Sequence, residues 1–154
     1  MSLEDPAVRE VLGASFVARV ATRSRGGVPA LTPLWFVVDR GHVYTTTGQA
    51  TLAARNAKAC PELAILFDGE ASGPRGRILR LRGRAVVHGE MPGWRVLARF
   101  AWKYYLGGIA SELRHRSQWR LRQRYYAQGQ IAVIDFVPER AEWLERPASS
   151  RASC

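Results

Sequence analysis

Residues 30–56 have the sequence ALTPLWFVVDRGHVYTTTGQATLAARN, and this stretch carries the clearest structural pattern in the chain. Aromatic and β-branched residues predict a long strand over Val28–Asp39, and Asp39-Arg40-Gly41 is a turn signal that leads into a second strand, Val43–Thr47. A helix is then predicted over Thr51–Ala59, because Pro61 ends the helical pattern. The stretch therefore predicts a β-hairpin whose second strand leads directly into a helix N-terminus.

Two prolines limit the hydrogen bonds that one side of the long strand can form. Pro29 and Pro33 lie four residues apart on one side of the strand, and neither has an N–H to donate to a neighbouring strand. The first half of the strand is therefore predicted to be a sheet edge or to carry a bulge. At such an edge, backbone groups are free to bind the ring of a ligand.

Outside this stretch, the sequence pattern predicts four further strands and three further helices. The predicted strands are Ser15–Arg23, Leu63–Asp68, Arg77–His88 and Gln130–Val137, with a separate short segment over Pro138–Trp143. The predicted helices are Asp5–Val11, Pro92–Leu106 and Ser111–Gln128. Six strands with few helices predict a mainly β, antiparallel barrel with a short helix after strand 3 and a helical pair before the last strand.

Composition limits the class of protein. The chain has 154 residues, of which 47% are apolar, so one domain with a real core is expected over residues 1–146, followed by a flexible tail, 147–154. No apolar run is long enough to span a bilayer, and the N-terminus is polar and acidic, so a cytoplasmic protein without a membrane partner is expected. The two cysteines have neither metal-site nor redox spacing. A net charge of +10, nearly all from arginine, favours anionic partners.

The end of the predicted hairpin collects groups that bind anions. Thr45, Thr46 and Thr47 precede a helix start that carries Arg55 and Asn56. Hydroxyls, backbone N–H groups and a guanidinium at a helix N-terminus are the groups that hold a phosphate. The alternative is that the threonines only pair across strands, and that Arg55 and Asn56 are ordinary helix-surface residues.

In this order the motifs resemble the split β-barrel oxidoreductases related to pyridoxamine 5′-phosphate oxidase, which bind FMN or the deazaflavin coenzyme F420. The matching segments are Pro33-Leu34-Trp35-Phe36, Tyr44-Thr45-Thr46, Arg55-Asn56, Leu63–Phe67, Arg82-Gly83-Arg84-Ala85, and Pro138-Glu139-Arg140 with Trp143. The lysine that many relatives place three residues before the asparagine would fall at Ala53, so Arg55 or Lys58 would supply the charge instead.

The resemblance implies a six-stranded split β-barrel that forms a homodimer and holds its cofactor in a groove between subunits. The phosphate would lie near Thr46, Thr47, Thr51, Arg55, Asn56 and Lys58. The ring would lie against Thr32, Pro33, Leu34 and Trp35. In such enzymes the cofactor performs the hydride chemistry, so the resemblance requires neither catalytic side chains nor a metal.

The resemblance thus predicts an oxidoreductase, and the first candidate is an F420-dependent reductase that passes hydride to a small electrophilic substrate. A strip of arginines at alternate positions, Arg80, Arg82 and Arg84, could hold the γ-glutamyl tail of F420 and, with Trp35, favours the deazaflavin over FMN. The alternatives are an FMN-dependent oxidase, or a non-enzymatic protein that binds a cofactor, haem or nucleic acid.

Several residues keep two interpretations. Trp35 could stack near the cofactor or pack in the core. The helical pair could form a lid or a dimer surface, and the row Arg116, Arg120 and Arg124 could contact nucleic-acid phosphates or form a solvated face. The scattered residues His42, His88 and His115 are predicted to be surface residues, although one of them could serve as a haem ligand.

Overall fold

The computed structural model describes residues 3–68, 77–90, 93–106 and 130–145. The strands in these ranges are β1 (Val17–Arg23), β2 (Pro29–Asp39), β3 (His42–Gly48), β4 (Glu62–Phe67), β5 (Arg77–His88) and β6 (Ile131–Glu145). The helices are α1 (Pro6–Ala14), α2 (Leu52–Ala59) and α3 (Trp94–Ala101), and α3 continues into a π-helical turn, Trp102–Leu106. The predicted second helix of the pair, 111–128, and the predicted tail, 147–154, lie outside the described residues.

The six strands form a closed barrel in the order β1-β2-β3-β6-β5-β4, and every neighbouring pair is antiparallel. Alternate residues of each strand face inward, as the period-two pattern predicts. The barrel is filled by large buried side chains, among them Val20, Phe36, Val43, Ile65, Phe67, Leu79, Leu81, Ile134 and Phe136. The predicted mainly β barrel, with a short helix after strand 3, is confirmed.

Helices α1 and α2 lie at opposite ends of the barrel. Strands β1 and β3 run in the same direction, because each is antiparallel to β2. Helix α1 leads into the start of β1, whereas α2 follows the end of β3. Both contribute to the same core, through Val8 and Val11 of α1 and through Ala53 and Ala57 of α2. None of the described helices has the length and apolarity needed to cross a membrane.

Helix α1 is longer than the sequence predicts. The predicted helix ends at Val11, whereas the observed helix continues through Gly13 to Ala14. The reason is the next residue: the Ser15 backbone N–H and side-chain hydroxyl both donate to the Val11 carbonyl, at 3.0 and 2.7 Å. These two bonds satisfy a carbonyl that a glycine cap would otherwise have to satisfy.

Strand β6 is also longer than predicted. The chain does not leave the sheet at Val137 but continues through Pro138 to Glu145. The pairs of β6 with β3 end at Phe136, so beyond that residue β6 is bonded to β5 alone. A proline is tolerated there because one side of the strand has no neighbour, and a register shift between Arg82 and Gly83 on β5 accommodates it.

Helix α3 packs on the outside of the barrel, across β2 and β3. One face of the helix buries Val96 and Phe100 against Val37, with Trp35 and Tyr44 partly buried around them. The last described turn of this region, Trp102–Leu106, is a π-helix, and Tyr104 within it packs towards the barrel.

Candidate functional site

Strands β2 and β3 separate halfway along their length. They pair from Asp39↔His42 to Trp35↔Thr46, and beyond this point β3 continues along β6 while β2 is paired with β1 alone. The first half of β2 is therefore a free edge, as its prolines predict. We call the space between this edge and the end of β3 the β2–β3 opening, and α2 begins beside it.

The hydrogen bonds of Tyr104 show which backbone groups of β2 face β1 and which face the opening. The Tyr104 hydroxyl accepts a hydrogen bond from the Phe36 N–H at 2.9 Å, and lies 2.8 Å from the Phe16 carbonyl oxygen, so the Phe36 backbone faces β1. Alternate residues of a strand face opposite neighbours. Pro29, Leu31 and Pro33 therefore face the opening, and present three carbonyls and one N–H there.

The four predicted ring residues are arranged differently from the expectation. Leu34 is 9% exposed and points into the core, and the alternation places Thr32 on the same face with its backbone towards β1. Trp35 points outward, where its ring stacks on Tyr104 with 4.3 Å between the ring centroids. Of the four, only Pro33 directs its backbone into the opening, and Trp35 packs against a protein ring.

The start of α2 is ordered by two threonines. The Thr51 hydroxyl donates to the Gly48 carbonyl at 2.8 Å and accepts the Ala54 N–H at 3.4 Å, which makes Thr51 the N-cap. Its proton is used, so the Thr47 hydroxyl, 2.9 Å away, acts as donor in their bond. The first N–H groups of the helix, those of Leu52 and Ala53, then point out of the helix end, where an anion is favoured.

The side chains of α2 divide into an exposed and a buried set. Arg55 and Lys58 are exposed, and neither has an ion-pair partner among the described residues. Asn56 is only 5% exposed and donates through Nδ2 to the Thr22 hydroxyl at 3.1 Å, so it closes the end of the barrel. Ala53 is fully buried, and a lysine at that position would lie in the core.

The three consecutive threonines of β3 have three different environments. Thr45 faces the interior and is fully buried, and its hydroxyl has no hydrogen-bond partner within the described part of the chain. Thr46 faces the other way, opposite Trp35, where the strands separate. A hydrogen bond between the Thr47 and Thr51 hydroxyls joins this run of threonines to the start of α2.

Replacing Thr45 with valine is expected to stabilise the protein by about 1 kcal/mol, because valine keeps the shape and removes a buried hydroxyl without a partner. Urea unfolding at equilibrium measures the change. The control is Thr47→Val, which removes a bonded hydroxyl and should cost about 1 kcal/mol. Equal destabilisation by both substitutions would show that Thr45 has a partner.

Comparison with known proteins assigns the family. The sequence profile of the family described as pyridoxamine 5′-phosphate oxidase matches residues 4–144. The chain belongs to this family. No curated protein sequence matches the chain significantly.

Solved structures share the fold of this pyridoxamine 5′-phosphate oxidase family member at low sequence identity. HutZ, the heme storage protein from Vibrio cholerae, is 16% identical with a TM-score of 0.59, over 94% of this chain and 95% of that one. A conserved hypothetical protein from Mycobacterium tuberculosis is 20% identical with a TM-score of 0.64, over 94% and 85%. An F420 reductase is 19% identical with a TM-score of 0.56, over 86% and 93%.

The arginine strip lies away from the opening of this family member. Arg80, Arg82 and Arg84 do share the outer face of β5, as predicted. However, β4 and β5 are the two strands farthest from the β2–β3 opening in the barrel order. Arg80 is bonded to Glu142 at 2.8 Å, and this bond lowers the pKa of the Glu142 carboxyl. The strip therefore lies on the side of the barrel opposite the β2–β3 opening.

Two histidines that are far apart in the sequence meet at one carboxylate. His42 Nδ1 lies 2.7 Å from Asp135 Oδ1, and His88 Nε2 lies 3.6 Å from Asp135 Oδ2. Beside them, burial and the charge of Asp135 raise the pKa of Tyr44. Only the pairing of β6 between β3 and β5 brings them together, so no sequence signal predicts this cluster. Among the described residues, no group of three or more His, Cys, Asp or Glu could hold a metal ion.

Proposed function

We propose that this chain is an oxidoreductase that binds a phosphorylated flavin-type cofactor in the β2–β3 opening. The observation that carries the proposal is the juxtaposition of a free strand edge with a capped helix N-terminus, on a helix that carries the exposed cations Arg55 and, in its last turn, Lys58. A heteroaromatic ring needs in-plane hydrogen-bond partners, and a phosphate needs N–H groups and positive charge. The opening supplies both over adjacent elements.

The residues divide between the two parts of the cofactor. Thr47, the N–H groups at the start of α2, Arg55 and Lys58 would hold the phosphate. The carbonyls of Leu31 and Pro33 and the N–H of Leu31 would meet the ring edge, since a flavin or deazaflavin ring carries an imide N–H flanked by two carbonyls. The bound cofactor supplies hydride transfer, and the protein orients it and excludes water.

The site supports a flavin-type cofactor, but it does not select between F420 and FMN. The arginine strip lies on the far side of the barrel and Trp35 packs on Tyr104, so neither selects the deazaflavin within one subunit. With F420 the expected reaction is hydride transfer to a small electrophilic substrate. With FMN it is oxidation of a substrate with oxygen as acceptor.

Fluorescence titration with FMN and, separately, with F420 tests the proposal. Removing both exposed cations, in the double variant Arg55→Ala/Lys58→Ala, is expected to weaken binding of the preferred cofactor about tenfold or more, which corresponds to about 1.4 kcal/mol. Arg77→Ala is the matched control, because it removes an exposed arginine at the start of β5, on the side of the barrel opposite the opening, and should leave affinity unchanged. Asn56 is kept in both variants because it closes the barrel.

Two outcomes would contradict the phosphate assignment. One is equal cofactor affinity in the wild type and the double variant, and the other is no binding of either cofactor. An absorbance scan of the isolated protein separates the remaining alternative, because a Soret band would favour a haem-binding role of the kind described for HutZ.

The family resemblance also leads us to expect a homodimer. Sedimentation equilibrium measures this directly, and a mass of one chain at micromolar concentration would contradict it.

A further inference from the structure

A second depression lies at the other end of the barrel from α2. It is a groove of about 1070 Å³ between α1 and α3, and we call it the α1–α3 groove. Its floor is the end of β2, Phe36 to Val38, and its rim includes Phe16 and the turn Arg40-Gly41. Because the β2–β3 opening lies beside α2, the groove is a separate site.

Helix α3 presents two unburied tryptophans to this groove. Trp94 is 76% exposed and Trp102 is 69% exposed, whereas Val96 and Phe100 on the opposite face of the helix are buried. The two tryptophans are eight residues apart on one helix face, so they are separated by about 12 Å along the axis. Phe16, 42% exposed, stands on the opposite wall. Exposed rings in this arrangement form stacking surfaces for a flat molecule.

The charge of the groove is strongly positive. Five cationic side chains line it, and Glu4 is the one acidic side chain among the described lining residues; the cations are Arg9, Arg40, Arg95, Arg99 and Lys103. Asp39 fixes Arg99 through a 2.8 Å bond to Nε, and the Lys103 ammonium lies 3.5 Å from the centre of the Phe36 ring. Arg9, Arg40 and Arg95 have no ion-pair partner in the described ranges. The groove therefore attracts anions.

The backbone conformation of the turn at the groove rim is unfavourable for Arg40. Arg40 has a φ of 48° and is followed by Gly41 with a φ of 80°, in the two-residue turn between β2 and β3. This conformation favours asparagine or glycine at the first position, and an arginine there is strained. A residue that violates the local preference at the rim of a basic groove is a sign of function.

We propose that the α1–α3 groove binds an elongated aromatic anion, a flat molecule with a carboxylate, sulfonate or phosphate group. Its ring system would stack on Trp94 and Trp102, and its charge would lie between Arg40 and Arg95. The proposal does not depend on the flavin-type cofactor, because the two sites share no residue.

Binding of 1-pyrenecarboxylate, followed by the anisotropy of pyrene emission, tests this proposal. Saturable binding to the wild type is expected, and the neutral analogue 1-pyrenemethanol should bind at least about tenfold more weakly. The double variant Trp94→Ala/Trp102→Ala and the single variant Arg95→Gln should each weaken binding about tenfold or more. Arg82→Gln, the same change on the far side of the barrel, should change it by less than about twofold. FMN and F420 affinities should not change in the tryptophan and Arg95 variants.

The variant Arg40→Asn gives an independent readout. It should raise Tm, because asparagine relieves the strained turn, and it should weaken 1-pyrenecarboxylate binding severalfold. A purely structural Arg40 would raise Tm without affecting binding, which counts against the proposal.

Three results would overturn the assignment of this groove. They are the absence of saturable binding to the wild type, equal affinity for 1-pyrenemethanol, and dissociation of a dimer to monomers by Trp94→Ala/Trp102→Ala. The last result would identify the groove as a contact between two copies of the chain.

Discussion

Replacing Gly83 with alanine is expected to destabilise the protein by about 4 kcal/mol, the largest effect of any conservative substitution that we predict. A Cβ at position 83 would overlap the Val137 carbonyl oxygen and lie 2.9 Å from Pro138 Cα. Both obstacles are backbone atoms of β6, so no side-chain rotation relieves the overlap. The bulge that lets Pro138 remain in the sheet would have to open.

Thermal unfolding measures this effect, and a fall in Tm of about 10 °C is expected for a chain of this length. Gly13→Ala is the matched control, because a Cβ at position 13 meets no atom within 4 Å and the residue lies within α1. This change should stabilise the protein by about 0.5–1 kcal/mol. A Tm of Gly83→Ala within about 2 °C of the wild type would show that β6 moves freely at the bulge.

Removing the hydroxyl of Tyr104 is expected to produce the second largest loss, about 2 kcal/mol. The hydroxyl lies within 2.9 Å of the Phe36 N–H and carbonyl and 2.8 Å from the Phe16 carbonyl. Strand pairing of β1 with β2 ends at Val17↔Trp35, so the hydroxyl takes the place of the next strand pair. Tyr104→Phe keeps the stack on Trp35 and leaves these partly buried backbone groups without their partner.

Equilibrium unfolding in urea measures the loss, with Tyr44→Phe as control. Tyr44 packs in the same outer cluster, but its hydroxyl has no hydrogen bond within the described part of the chain. Tyr44→Phe should therefore change the unfolding free energy by less than about 0.5 kcal/mol. Similar values for both variants would mean that water replaces the Tyr104 hydroxyl between the strands.

The sequence predicts those features that depend on local pattern. Period-two alternation identifies the strands, and β5 shows it clearly, with its arginines outside and Leu79 and Leu81 inside. The missing N–H groups of Pro29 and Pro33 predict the free edge. The helix over Thr51–Ala59 is also predicted from its local pattern and from Pro61 beyond it. These signals are carried by neighbouring residues, so no tertiary information is required.

The features that the sequence does not predict depend on contacts across the closed barrel. Pro138 stays in a strand because the pairing of β6 with β3 does not extend beyond Val43↔Phe136. Asn56 turns inward because Thr22 lies at the same barrel end, although its motif suggested a ligand. Thr45 and Thr47 lie in the same run of threonines, yet the Thr45 hydroxyl is buried in the core and the Thr47 hydroxyl bonds to Thr51 at the start of α2. Each outcome is fixed by strand order, which local patterns do not contain.

The prolines of β2 also have a consequence for aggregation through strand edges. A barrel that opens on one side exposes a strand edge, and exposed edges recruit strands from other chains and lead to aggregation. In the segment 29–33 the backbone groups of Pro29, Leu31 and Pro33 face the opening, and the two prolines have no N–H. An incoming strand would find one donor where it needs three. The edge can therefore remain accessible to a small molecule while rejecting a polypeptide.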